Sequence, residues 1–214
     1  MFRKIDAAVL DRQFIRAATP TAELGAACVE KFGAAPTLVP VQPARSSEPL
    51  RCFWNAAAHA AEHGGAAVFG WAIFEWPHLF WEAQHHAVWQ NPAGQLIDIT
   101  PSAAPGSAKT LFVEDAAACF DVEFGSPEDT QRFPLVDWQE LRSYSSYRNL
   151  IPARIARVAP ANRATDRMLC NLIKAQRDSK EAMLVRLANH LEPSSLCFCG
   201  SGGEFGACCR KAFS

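Results

Sequence analysis

The chain has no run of eighteen apolar residues, and charged side chains recur through its first sixteen positions, so neither a membrane-spanning helix nor a secretory leader is expected. The cytoplasm is the expected compartment. There is no internal repeat and no low-complexity tract beyond scattered alanine, which argues against a solenoid or a disordered tail. Net charge is also nearly absent, −1 over 214 residues, so binding to nucleic acid through bulk positive charge is not expected. The charge is unevenly spread, though. Met1 to Leu141 carries 9 basic and 17 acidic side chains, Arg142 to Glu192 carries 10 and 4, and an acidic body therefore bears a basic segment. With an apolar fraction of 49% the chain can bury a full core, and its length suits one main domain with an appendage.

Eight cysteines are present, four of them crowded between positions 197 and 209. Cys28, Cys119 and Cys170 sit in apolar or helical settings and read as core thiols of a reducing compartment. Cys52 differs. It stands before an alanine-rich run, Phe53 to His63, that ends at Gly64-Gly65, so its sulfur falls at a helix N-terminus. Amide donors and the positive dipole end there stabilise a thiolate. The next run, AAVFGWAIFEW, reads as a buried strand or a bent pair of strands, and AQHHAVWQ with QLIDIT reads as a hairpin. Its turn, Asn91-Pro92-Ala93-Gly94, has Asn first, Pro second and Gly at the left-handed position of a three-residue loop. Asn91 then pairs with Gln95, and His86 falls opposite Thr100. Parity places His86, Asp98 and Thr100 on one face and His85 on the other, whereas a four-residue loop would reverse the two.

A cysteine opening a helix, then a strand, then His-Ala at the start of a strand whose partner carries Asp followed by Thr-Pro resembles the core of transglutaminase-like proteins, within the papain-like thiol group. The resemblance covers about fifty residues, and Ile99 stands where that family often has proline. It implies an α+β fold with a cysteine-bearing helix on an antiparallel sheet. It also implies Cys52 as nucleophile, His86 as base and Asp98 as orienter, in a cysteine hydrolase or acyl transferase. The residues alone leave open that Cys52 is a small core residue and that Asp98 caps a turn. Gln42 lies where some thiol enzymes place an oxyanion donor, but its spacing reads as that of an exposed loop residue.

Around this stretch, Ile5, Val9, Leu10, Phe14 and Ile15 recur at helical spacing, and Thr19-Pro20 reads as the start of a second helix that ends at Gly33. Residues 37–43 read as extended and 45–49 as a polar loop. SAAPGSAKT, 102–110, is a small-residue loop; LFVED and CFDVEF, 111–115 and 119–124, read as strands. A helix is expected over 137–150, with Pro152 and Pro160 bracketing a basic connector. Residues 165–191 read as an amphipathic helix with Met168, Leu169, Leu172, Ile173, Met183, Leu184, Leu187 and Leu191 in its stripe, and with a break near Arg177 to Glu181. Its basic side reads first as a solvated face, and otherwise as a surface for an acidic partner or nucleic acid.

The end of the chain reads CFCGSGGEFGACC, in which C-x-C and C-C are separated by eight residues. Four thiolates so close can converge on one tetrahedral ion if the intervening glycines allow a tight hairpin. The segment resembles the SEC-C motif, known from the C-terminus of the bacterial preprotein-translocase motor ATPase, although Gly203-Glu204 stands where that family usually has lysines. The resemblance implies Zn²⁺ held by Cys197, Cys199, Cys208 and Cys209. Having few apolar side chains, the tail is expected to fold on metal, with the core from Ile5 to Phe124 independent of it. The expected organisation is a papain-like α+β domain over 1–150 with N-terminal helices, a basic helical connector over 151–192 and a SEC-C-type zinc knuckle over 193–214. Two functions fit: a Cys-His-Asp hydrolase or acyl transferase with a protein or peptide substrate, or a noncatalytic zinc-binding adaptor that recruits a protein or ribosomal partner through its tail and basic helix.

Overall fold

A computed structural model describes residues 5–101, 108–123 and 125–213, which form a mixed α+β structure with an open antiparallel sheet and five α-helices. Contacts divide them into two units. The described residues 15–76 and 80–134 form one; the other gathers residues 5–14, 77–79 and 135–213.

The first unit is built on one long hairpin. Strands β3 (Ala66–Trp76) and β4 (Phe80–Gln90) pair without a break from Ala66↔Gln90 to Trp76↔Phe80, so the apolar aromatic run is a single strand. Both of its faces are covered, which explains why it does not alternate with polar residues. On one face Trp71, Ile73 and Ala83 pack on Leu24 and Cys28 of α2 (Ala22–Phe32), and Ala87 packs on Phe53 and Ala56 of α3 (Cys52–His63). On the other, Val88 and Val68 pack with Val39 and Phe112. Strand β6 (Lys109–Glu114) lies against β3 and β2 (Thr37–Pro40) against β6, while β5 (Leu96–Ile97) and β7 (Gln131–Pro134) both pair with β4. The two-residue β1 (Arg16–Ala17) extends the β3 edge. The far ends of the sheet meet at one parallel bridge, Val41↔Asp98. Gly70, in the middle of β3, makes this curl sterically feasible: a Cβ there would lie 2.0 Å from the Val113 carbonyl oxygen.

In the second unit α4 (Gln139–Arg157) packs along α5 (Arg167–His190), burying Leu141, Tyr144, Leu169, Met183, Leu184 and Leu187. Asp166 caps α5 through the Leu169 N–H and pairs with Arg154 at 2.6 Å, joining the start of one helix to the last turn of the other. The C-terminal residues bring Phe198, Phe205 and Phe213 together, and the Phe14 ring lies 5.3 Å from Phe198.

Several expectations are corrected. The first helix is only the four residues of α1 (Ala7–Leu10), because Arg16 leaves the helical path to pair with Glu75 at 2.8 Å. Thr19 does not cap; its hydroxyl donates to Glu75, and Thr21 caps α2 instead. Residues 119–123 form no strand, since Phe120 is drawn onto Phe53 with ring centroids 4.0 Å apart. Phe124 and residues 102–107 of the small-residue loop lie outside the described residues. Pro152 does not end a helix, as α4 runs through it to Arg157 on the surface of α5, and α5 has no break near Arg177. Met168 and Ile173 are exposed rather than part of the buried stripe, and Cys119 and Cys170 are exposed rather than core thiols. The tail carries its own aromatic core and takes in residues 5–14: Ile5 bridges to Phe213, and the Asp6 N–H donates to the Ala212 carbonyl at 2.9 Å. The stretch from Ile5 is therefore not independent of it. Among the described residues no helix is long and apolar enough to cross a membrane.

Gly70→Ala is expected to lower the unfolding free energy by about 3 kcal/mol, because the clash is with backbone that other strands hold in place. Guanidinium unfolding followed by tryptophan fluorescence measures it.

Candidate functional site

Cys52 is the first residue of α3, and the preceding Arg51 makes no side-chain capping bond. Helices α1, α2 and α5 are each capped by a side chain, from Asp6, Thr21 and Asp166 respectively. The opening amides of α3 are thus left to whatever occupies the space in front of them. That space is a cavity of about 160 Å³, lined by Cys52, His86 and Asp98 together with His85, Gln84, Thr100, Thr110 and apolar side chains.

His86 reaches Asp98 because the turn forms as its residues dictate. Asn91 N–H donates to the Gln95 carbonyl, and the pairs Gln90↔Leu96 and Trp89↔Ile97 follow in the expected register. The ladder stops there. Asp98 leaves β4 and bonds to the end of β2 and the residues after it instead, its N–H donating to the Pro40 carbonyl and its carbonyl accepting from the Gln42 N–H. His86 therefore has no ladder partner in Thr100, yet the Asp98 side chain turns back toward it. His86 Nε2 lies 3.0 Å from Asp98 Oδ2.

The carboxylate is saturated with donors. Besides His86 it accepts from the Thr110 hydroxyl at 2.7 Å and from the Thr100 N–H at 3.1 Å. Burial opposes its ionisation, but these bonds and the imidazolium outweigh burial and hold its pKa below the ordinary 3.8. For His86, burial likewise opposes the charged form. The hydrogen bond to Asp98 and the negative charge of that carboxylate, with the Cys52 sulfur lining the same cavity, outweigh it and push the imidazole up to about 10. With Nε2 committed to Asp98, Nδ1 is the nitrogen left for Cys52.

His85 leaves the strand on the other side and is fully engaged. Its Nδ1 accepts from the Glu128 N–H at 2.9 Å, so Nε2 carries the proton that it donates to the Ala118 carbonyl at 2.7 Å. Gln42 is exposed and lines no part of the cavity. Two supporting residues escaped the sequence reading. Thr110 comes from β6, outside the hairpin, and no local spacing points to it. Asn55 joins Thr100 at 3.1 Å to the Glu48 carbonyl at 2.8 Å, and its position one turn into the cysteine helix was the available signal.

The second cluster is in the tail. The Sγ atoms of Cys197, Cys199, Cys208 and Cys209 all lie within 4.8 Å of one another, and they are so placed that they could hold a metal ion. Leu196 bridges to Glu204, the Cys197 N–H donates to Gly203, and Gly200 and Gly202 turn the chain at φ of 78° and 77°. A tetrahedral ion with metal–sulfur bonds of about 2.3 Å sets its sulfurs about 3.8 Å apart. Cys199 and Cys208 are separated by 3.5 Å and Cys208 and Cys209 by 3.9 Å, so the donor set fits. The thiols differ sharply. Burial opposes a Cys199 thiolate, but bonds from Ser201, Cys197 and Cys208 bring it down to about 6, whereas burial and the Cys197 and Cys199 sulfurs push Cys209 up. Four such neighbours cannot all ionise without a cation among them. His190 is not part of the cluster.

No protein-family model matches the chain, and no curated protein or solved structure is similar enough to it to count as a match.

The His86–Asp98 pair ties stability to pH in a definite direction. His86 is raised above 6.5, so its contribution is complete below pH 6.5 and is lost as pH rises through about 10. Asp98 is lowered from 3.8, so its contribution is complete above pH 3.8 and is lost as pH falls through the lower folded value. A double-mutant cycle with His86→Ala and Asp98→Ala is expected to give a coupling that is largest between pH 3.8 and 6.5 and shrinks toward pH 10. Either single replacement costs about 3–5 kcal/mol near the maximum, read from denaturant unfolding at each pH.

Proposed function

We propose that the chain is a zinc-binding thiol enzyme, a cysteine hydrolase or acyl transferase acting on an amide or ester. The observation that carries the reading is the 3.0 Å His86–Asp98 hydrogen bond in a cavity that Cys52 also lines, at the uncapped start of α3. Cys52 Sγ attacks the substrate carbonyl carbon, and the oxyanion that forms faces the opening amides of α3. The proton that the leaving amine or alcohol needs already resides on His86, since that imidazole is protonated up to about pH 10. As the carbon–nitrogen or carbon–oxygen bond breaks, His86 gives up this proton and a thioester remains. Water or an acceptor amine then attacks the thioester, His86 takes the proton back, and the Cys52 sulfur is released. Asp98 holds the ring in place throughout.

Iodoacetamide labelling, read by peptide mass spectrometry at neutral pH, tests this. Cys52 is expected to label faster than the exposed Cys119 and Cys170, although it is only 8% exposed itself. His86→Ala slows it about tenfold or more and Asp98→Ala less, because orientation is lost while the imidazole remains. Equal rates at Cys52 and Cys119 would overturn the enzyme reading.

In the tail we propose Zn²⁺, which suits a tetrathiolate set better than cations that prefer oxygen. Its chemistry there is structural, closing the loop between Leu196 and Cys209. Metal analysis is expected to find about one zinc per chain and well under half of that in Cys208→Ser. The cytoplasm is proposed as its compartment, in keeping with thiols that form no disulfide. The alternative of a noncatalytic adaptor draws less support, because its proposed basic surface is largely spent within the chain: Arg186 pairs with Glu140, Arg177 with Asp11 and Lys174 with Asp178. A protein partner for the zinc tail remains part of that second proposal.

A further inference from the structure

We propose that the Cys52 cavity takes a small, uncharged, apolar acyl group, and that Leu50 at its mouth is the residue that selects it. The inference rests on the acyl-transfer reading above and adds the substrate class to it.

Charge is the first argument. Beyond Cys52, His86 and Asp98, the one ionisable side chain among the described lining residues is His85, and both of its nitrogens are taken. Among the described lining residues no lysine or arginine stands ready for a substrate carboxylate. The Asp98 carboxylate already accepts from His86, Thr110 and Thr100, so it is not available to an ammonium group. A charged acyl group would enter a site where nothing replaces its lost hydration, a cost that rises steeply with burial. Size is the second. A cavity of about 160 Å³ is close in size to the roughly 150 Å³ apolar cavity that takes up one benzene molecule. That is room for a short chain, and its walls include Phe53, Ala72, Phe74 and Pro127.

Leu50 is the third. It lines this cavity two residues before the nucleophile, and yet it is 85% exposed. Its φ is 63°, a left-handed conformation that is uncommon for a bulky residue other than Asn, Asp or glycine. The turn is held that way by its neighbours: the Glu48 N–H donates to the Asn55 side chain, which donates back to the Glu48 carbonyl, and Arg51 pairs with Glu48. A leucine here gains no burial from the fold and strains the backbone besides. An apolar acyl group resting on the Cys52 sulfur would cover the side chain and supply the contact it lacks.

The test uses the full chain and methanethiosulfonates that carry a butyl, a sulfonatoethyl or a trimethylammonioethyl group. In each case the attacking sulfur forms the new disulfide and methanesulfinate leaves. Rates at Cys52 are divided by those at Cys119 in the same molecule, which removes the intrinsic reactivity of each reagent. The butyl reagent is expected to be favoured at Cys52 over both charged reagents by about tenfold or more. Leu50→Gly should raise the unfolding midpoint, because glycine suits the left-handed turn, and should cut the butyl preference severalfold; Leu50→Ala should cut the preference as well. Fast reaction at Cys52 with no discrimination by charge overturns this inference and leaves the acyl-transfer reading standing, as does an undiminished butyl preference in both Leu50 variants. Reaction at Cys52 slower than at Cys119 with all three reagents overturns both.

Discussion

Asp98 is held from two sides at once. Its backbone belongs to the bridge with Val41, its N–H bonded to Pro40 and its carbonyl to Gln42, while its carboxylate belongs to His86. Were the chain to stay on β4 in hairpin register, Thr100 would face His86 and the sheet would continue flat. Because it leaves at Asp98, the two strands part below Trp89, the ends of the sheet approach each other, and the gap is filled by the N-terminus of the cysteine helix. The core of Val39, Val68, Val88 and Phe112 depends on the same curl. So does the pairing of Gly70 with both His86 and Glu114, in which three strands come so close that a methyl group has no room.

Beside the exposed Cys119 and Cys170, three thiol environments occur in this one chain, and the neighbours set the chemistry of each. Cys28 lies among Leu24, Trp71 and Ile73, where burial alone pushes it up to about 11. Nothing there compensates a charge, so the thiol behaves as a small hydrophobic side chain. Cys52 is as well buried for practical purposes, yet it shares its cavity with the imidazole of His86, which Asp98 holds above its ordinary pKa. In the tail each sulfur has other sulfurs for neighbours, and there the natural counter-charge is a metal rather than a proton.

The parts of this that could be read in the sequence are those encoded by short spans. The helix from Cys52 to the glycine pair, the three-residue turn after Asn91 and the C-x-C and C-C spacing are each fixed within a dozen residues, and each came out as read. What could not be read depends on partners far along the chain. Nothing near Asp98 announces that Val41 will compete with β4 for its backbone, nor that Thr110 will donate to its side chain. Helical spacing from Ile5 to Ile15 was genuine but lost to Glu75, which takes Arg16 into a strand. Pro152 suggested a helix end, and the packing of α4 on α5 overrode it. The aromatic core of the tail was underestimated because Phe14, which completes it, lies at the opposite end of the sequence.

The Ile5–Phe213 bridge has a consequence for how the chain matures. Residues 5–14 find their partners between Arg177 and Phe213, so during synthesis they must wait, unsatisfied, until those residues have left the ribosome. The unit that holds Cys52 is encoded entirely between residues 15 and 134 and is under no such delay. A ribosome that stalls before Arg177 would therefore release a chain whose thiol cavity can already form while residues 5–14 are still open to chaperones and proteases.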